Sequence, residues 1–189
     1  DPLVLLGVVA GAQVVQFGLP VVRVAVQPPQ VVEVEDLVER GEHLAARHLA
    51  RPDSARLLLL GSGKVARALA EGYAARFPIA DIAIWSPTAA NAARLARHLA
   101  DEGLPARAVA TPDPSAADIV SAATLSTAPL MLKTNLRPGT HVDLVGAYRR
   151  DMREADGAAL ARATLVVDTR AGALAEAGDI VQAIAEGAI

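Results

Sequence analysis

Residues 56–66, Arg56-Leu57-Leu58-Leu59-Leu60-Gly61-Ser62-Gly63-Lys64-Val65-Ala66, decide the fold class of this 189-residue chain. The four leucines form a short apolar run without alternation, the pattern of a strand covered on both faces. Gly61-x-Gly63-x-x-Ala66 comes directly after it. Val65, Leu69 and Tyr73, with Ala66, Ala70 and Ala74 beside them, then keep helical spacing up to Pro78. A buried strand running into a G-x-G-x-x-A turn and an Ala-rich helix is the opening of a dinucleotide-binding α/β unit. Gly61 allows the tight turn, Gly63 lets the backbone approach a pyrophosphate, and Ala66 keeps helix and sheet close. Ser62, Lys64 and Val65 complete the candidate phosphate turn, where the helix N-terminus favours negative charge. The alternative, a glycine turn that only links strand to helix, is opposed by the alternating pattern downstream.

Beyond Pro78, strand and helix signals alternate. Strands are expected at 81–85, 106–110, 118–122, 141–145 and 164–168, with Ser86 as cap and Pro87 in the first turn of a helix running to Gly103. Among the later helical segments the clearest spans 151–161. Such alternation implies a Rossmann-type doubly wound parallel sheet. Upstream, the first 35 residues hold twelve valines and read as short strands, with Val22, Val24 and Val26 alternating, as do Val32 and Val34. From Asp36 the period becomes helical, Asp36 and Glu39 forming a capping box, up to the stop at Pro52. The domain boundary is expected close to Asp53-Ser54. Counting the entering helix, the nucleotide-binding domain occupies 43–189, and 1–42 is a remnant or divergent N-terminal region.

Composition bounds the function. Hydrophobic residues make up 52% and aromatics 3%, so the core is built from Ala, Val, Leu and Ile. A net charge of −3 argues against nucleic acid as a partner. The absence of cysteine excludes disulfides, thiol catalysis and cysteine metal sites. Residues 2–22 are uncharged but interrupted by glycines, glutamines and Pro20, so a strand is favoured over a membrane span. Asp1 in place of Met suggests a processed or partial chain. His43, His48, His98 and His141 show no metal-ligand spacing; solvated helix faces account for the first three and a strand for the last. No Ser/His/Asp set can be assembled.

Three strand ends extend the candidate cleft, because ligands of open α/β sheets bind beyond the carboxyl ends of strands. After the second strand stands Trp85-Ser86-Pro87-Thr88, with no acid to pair the adenosine ribose. Ser86 and Thr88 offer hydroxyls to a 2′-phosphate, which favours NADP over NAD. Thr124-Leu125-Ser126 follows the fourth strand and Gly146-Ala147-Tyr148 the fifth. Each alone reads as an ordinary turn, whereas together they suit a cofactor trough.

The segment from Ala45 to Ser54, the glycine motif, and residues 117–120 with 123–127 resemble the ornithine cyclodeaminase/mu-crystallin family. So do 138–142, 145–147, Asp151-Met152-Arg153-Glu154, 166–168 and Glu176-Ala177-Gly178-Asp179-Ile180, in unbroken order over roughly 43–189. The resemblance implies a cytoplasmic, nicotinamide-dependent, homodimeric protein acting on a small imino or amino acid. Members include ornithine and lysine cyclodeaminases, alanine dehydrogenases and cyclic imino acid reductases. It also implies a longer N-terminal half supplying a substrate-binding Arg and Lys and most of the dimer interface. Residues 1–42 do not show that half, and no Lys precedes Lys64. The family's C-terminal segment that returns to the first domain is absent beyond Ile189. Lys133, Arg149 and Arg150 are the remaining cations for a substrate carboxylate, against a solvated-surface role. Slow turnover by the isolated chain is therefore expected. Cyclodeaminases carry an acid where Tyr148 stands, so imine reduction is favoured over cyclodeamination, with Tyr148 as candidate proton donor against a packing aromatic. A non-catalytic, mu-crystallin-like binding protein or an inactive partial chain remains the alternative.

Overall fold

The computed structural model describes residues 49–167 and 170–189, Ala46, and the segments Val4–Leu5 and Gln13–Val15. The strands expected at 22–26 and 32–34, His43, His48 and most of the helix expected from Asp36 lie outside the described residues; Ala46 and Leu49 of that helix are helical. In chain order the elements are β1 (Val4–Leu5), β2 (Gln13–Val15), β3 (Arg56–Leu60), α1 (Lys64–Arg76), β4 (Asp81–Trp85), α2 (Ala89–Asp101), β5 (Ala106–Ala108), β6 (Ile119–Ala122), β7 (His141–Leu144), α3 (Gly157–Leu160), β8 (Leu165–Val167), α4 (Arg170–Glu176) and α5 (Gly178–Ala185).

The sheet order is β5-β4-β3-β6-β7-β2-β8, with every contact from β5 to β7 parallel. The chain winds outward from β3 through β4 to β5, then crosses to place β6 on the other side of β3. That reversal puts the topological switch point between β3 and β6. Successive strand residues serve opposite faces, as the pleat requires. Leu57, Leu59, Ile82, Ile84 and Ile119 meet Ala66, Leu69 and Tyr73 of α1 and Leu95 and Leu99 of α2. Leu58, Leu60, Val120, Ala122, Val142 and Leu144 meet Met131, Leu136, Leu160 and Ala183. Two covered faces explain the unbroken leucine run of β3.

Three expectations are corrected. The strand expected at 164–168, β8, does not pair with the parallel run β5-β4-β3-β6-β7, whose last strand also pairs parallel with β1. β2 pairs antiparallel with both β7 and β8 and so lies between them, taking up the edge hydrogen bonds of each. Ser86 does not cap α2. Thr88 occupies the N-cap position, leaving Pro87 outside the helix, and the Ser86 hydroxyl instead meets that of Ser62 at 3.1 Å. The helix expected at 151–161 is confined to Gly157–Leu160, capped by the Asp156 carboxylate, which accepts from the Ala159 N–H. After a turn at Arg150-Asp151, residues 152–156 form a strap because their backbone groups are bound elsewhere. The Glu154 carbonyl accepts from the Leu130 and Met131 N–H groups, and the Arg153 N–H donates to the Ser126 carbonyl. Asp179, Gln182 and Glu186 share one face of α5 at helical spacing. Asp179 accepts from the Glu154 and Ala155 N–H groups, Gln182 donates to the Arg150 and Met152 carbonyls, and Glu186 pairs with Arg153. A helix over the strap would forfeit these partners.

Candidate functional site

The carboxyl ends of β4, β3, β6 and β7 lie in a row, tied past the last ladder pair by three further bonds. The Gly61 N–H donates to Trp85, the Ala123 N–H to Leu60 and the Val145 N–H to Ala122. Gly61 has φ +119°, a conformation that excludes most side chains, and a Cβ there would come within 2.5 Å of the Ala123 carbonyl oxygen. The turn is thus pressed against the end of β6. Gly63 is the opposite case: it is exposed, it forms the N-cap of α1 with no side-chain cap, and a Cβ there would meet nothing within 4 Å. The uncapped first turn and the open space beside Gly63 fit a pyrophosphate, while buried Ala66 holds α1 onto the sheet.

Around this turn the structure brings together Ser62, Lys64, Val65 and, through the Ser62–Ser86 contact, the end of β4. Thr88 is exposed beside it. Asp81 stands at the far end of β4, held by the Arg107 guanidinium at 2.7 and 2.8 Å, and residues 85–88 at the carboxyl end of β4 include no acid. On the other side of the switch point, Thr124 and Gly146 are buried, whereas Leu125 and Tyr148 are exposed. Ser126 lies between, its hydroxyl donating to the Ala128 carbonyl. Thr124 therefore does not offer its hydroxyl to the trough as the sequence suggests. Arg149 is bidentate with Asp151, at 3.0 and 2.7 Å, and Arg150 donates to the Ala175 carbonyl.

What sequence reasoning missed is the carboxyl pair beneath the trough. Glu154 reaches it from the strap and Asp179 from the first turn of α5, both with no solvent exposure. Glu154 Oε1 accepts from the Thr124 N–H and hydroxyl, each at 2.7 Å, and Oε2 from the Gly146 N–H at 2.8 Å. Burial and the neighbouring Asp179 carboxyl push Glu154 up to about 8, against the pull of those three donors. Burial raises Asp179 to about 6, opposed by the Ala155 and Glu154 amides and by Arg153. Both acids fall within the stretches that carry the family resemblance, but Glu154 lies in the helix expected at 151–161, where an acid gives no sign of facing inward.

The sequence profile of the ornithine cyclodeaminase/mu-crystallin family matches residues 42–188. The chain belongs to this family. The Δ(1)-pyrroline-2-carboxylate reductase of Paracoccus denitrificans is 46% identical over 151 residues, which cover 77% of this chain and 47% of that protein. The ketimine reductase mu-crystallin of Macropus fuliginosus is 32% identical over 143 residues, 76% of this chain and 45% of the relative. Among solved structures, the Thermococcus litoralis Δ(1)-pyrroline-2-carboxylate reductase, in complex with NADH and L-proline, superposes with a TM-score of 0.73 at 29% identity. That match covers 78% of this chain and 46% of the reductase. The chain spans about half the length of the family members it matches. Among the described residues no helix is long and apolar enough to cross a membrane.

Proposed function

We propose that this protein is an NAD(P)H-dependent reductase of cyclic imino acids of the pyrroline-2-carboxylate type. The observation that carries the reading is the open glycine turn at the β3/β6 switch point. Gly61, Ser62, Gly63, Lys64 and Val65 would hold the pyrophosphate, and Ser86 and Thr88 the adenosine ribose. Thr124, Leu125, Ser126 and Gly146 would border the nicotinamide end. A bound reduced nicotinamide supplies the hydride that an imine carbon accepts. The chain's own part is to orient the dinucleotide, keep water from the reacting face and deliver a proton. Tyr148, exposed just past β7, is the proton donor in this reading. Its phenol replaces the acid that a cyclodeaminase requires, which sets cyclodeamination aside. Arg149 and Arg150 are committed within the chain, which weakens both as grips for a substrate carboxylate. With no acid at the end of β4, a 2′-phosphate meets no like charge, and NADPH is the favoured cofactor.

The test is a titration of NADPH and NADH followed by nicotinamide fluorescence, with the parent and Gly63→Val. The parent should bind NADPH at least as tightly as NADH. Gly63→Val should abolish binding while leaving far-UV circular dichroism unchanged, because the added side chain enters only the open space. A variant that binds as well as the parent sinks the assignment. Turnover of pyrroline-2-carboxylate by the parent separates a reductase from a protein that only holds the dinucleotide.

A further inference from the structure

Thr124 and Gly146 are the residues at which β6 and β7 leave the sheet. The preceding amides, Ala123 and Val145, still donate to neighbouring strands. The next free N–H on each side turns down into one carboxylate: Thr124 to Glu154 Oε1 and Gly146 to Glu154 Oε2. The Thr124 hydroxyl adds a second bond to Oε1 and itself accepts from the Ser126 N–H at 3.2 Å, which shapes the turn bordering the crevice. Space is as constrained as polarity. A Cβ on Gly146 would run into the Thr124 backbone and Glu154 Oε1. Glu154 is itself delivered by the strap, which α5 grips from outside the crevice through Asp179, Gln182 and the Arg153–Glu186 pair. Burying a carboxyl group is costly unless its oxygens are paired, and burial satisfied through two strand ends provides one thing an apolar side chain lacks, namely two oxygens that hold two strands in a fixed relation.

We infer that Glu154 is a positioning residue for the nicotinamide half of the dinucleotide site, setting the relation of the β6 and β7 ends on which that half rests. The inference rests on the dinucleotide reading above. In a doubly wound sheet the two halves of a dinucleotide lie on opposite sides of the switch point. The glycine turn and Ser86 belong to the β3–β4 side, and Thr124 and Gly146 to the β6–β7 side. Disturbing Glu154 must therefore weaken the nicotinamide half and spare the adenosine half. A residue that only supports the fold would weaken both alike.

The experiment is isothermal titration calorimetry of the full chain with NADPH and, separately, with 2′-phospho-ADP-ribose, which lacks the nicotinamide. Glu154→Gln keeps the shape and an oxygen for Thr124 but sets an amide NH2 against the Gly146 N–H. Its Kd for NADPH should rise by a factor at least ten times larger than its Kd for the fragment. A smaller ratio, including equal losses or no loss, overturns the inference. Should Glu154→Gln not fold, Thr124→Val removes the hydroxyl that donates to Glu154 and accepts from the Ser126 N–H; there the ratio should be at least three, and a lower value has the same meaning. A parent chain that binds neither ligand overturns the dinucleotide reading itself, an outcome distinct from a parent that binds both while the variants show no split.

Discussion

The two ends of β6 carry buried carboxylates treated in opposite ways. Before the strand, Asp118 lies among three guanidinium groups: Arg51 at 2.8 Å, Arg56 at 3.2 Å and Arg137 at 3.5 Å. It also accepts from the Ala55 and Arg56 N–H groups. Burial pushes its carboxyl up, but the Arg56 side chain and these amides outweigh that and hold it at about 2. Past the strand, Glu154 meets amides and a hydroxyl and sits beside a second acid, and it is pushed up to about 8. A carboxylate facing guanidinium groups and partly reached by water stays charged and fastens the sheet. One buried among neutral donors fixes geometry at an electrostatic cost. The first end is fastened for stability, and the second is shaped for the crevice.

The strongest way to break this contrast is to disturb the packing at the shaped end. Gly146→Ala places a methyl against the Thr124 backbone and Glu154, neither of which can yield freely. A loss of at least about 3 kcal/mol is expected, read as a fall in urea midpoint. A near-parental midpoint would show that the strand ends are loose. At the fastened end, Asp118→Asn should cost about 1–2 kcal/mol at pH 7, the value of its depressed pKa discounted for half-exposed arginines. The sign follows from that depression. The contribution is fully present above about pH 4 and vanishes as pH falls through about 2, so urea midpoints of parent and variant should converge in that acid window.

The smallest effect sharpens the comparison from the other side. A carboxyl whose folded-state pKa is raised favours folding at low pH and loses that advantage as pH rises through the raised value. For Glu154 the decline runs from about 4.5 to about 8, with Asp179 adding its own below about 6. The groups facing the pair are the Thr124 and Gly146 donors, the Ala155 amide and Arg153. Glu154→Gln should flatten the stability profile between about pH 6 and 8. An unchanged slope there would place the titration on another group.

Much of the fold was legible because its signals are local. Leu57–Leu60 needed two covered faces, and the glycines with Ala66 gave strand, turn and helix in a single run, so β3 and α1 fall where the sequence puts them. Ser86 and residues 151–156 misled for a common reason. Each satisfies a helix rule locally but takes its hydrogen bonds from a distant segment, Ser86 from Ser62 and the strap from α5 and residues 126–131. Glu154 shows the limit most clearly. Its neighbours Asp151 and Asp156 are carboxylates in the same run, yet Asp151 pairs with Arg149 at the surface and Asp156 caps α3.

By itself the sequence determined the apolar strands, the glycine turn between β3 and α1, the missing acid at the end of β4 and the family to which the chain belongs. These depend on residue type within a few positions, where backbone sterics and hydrophobic periodicity act. Only the tertiary structure decided which carboxylate is charged, which is raised, and that Thr124 faces inward. Those outcomes depend on which donors arrive from elements distant in the chain and on how much water they displace, and neither is written in local sequence.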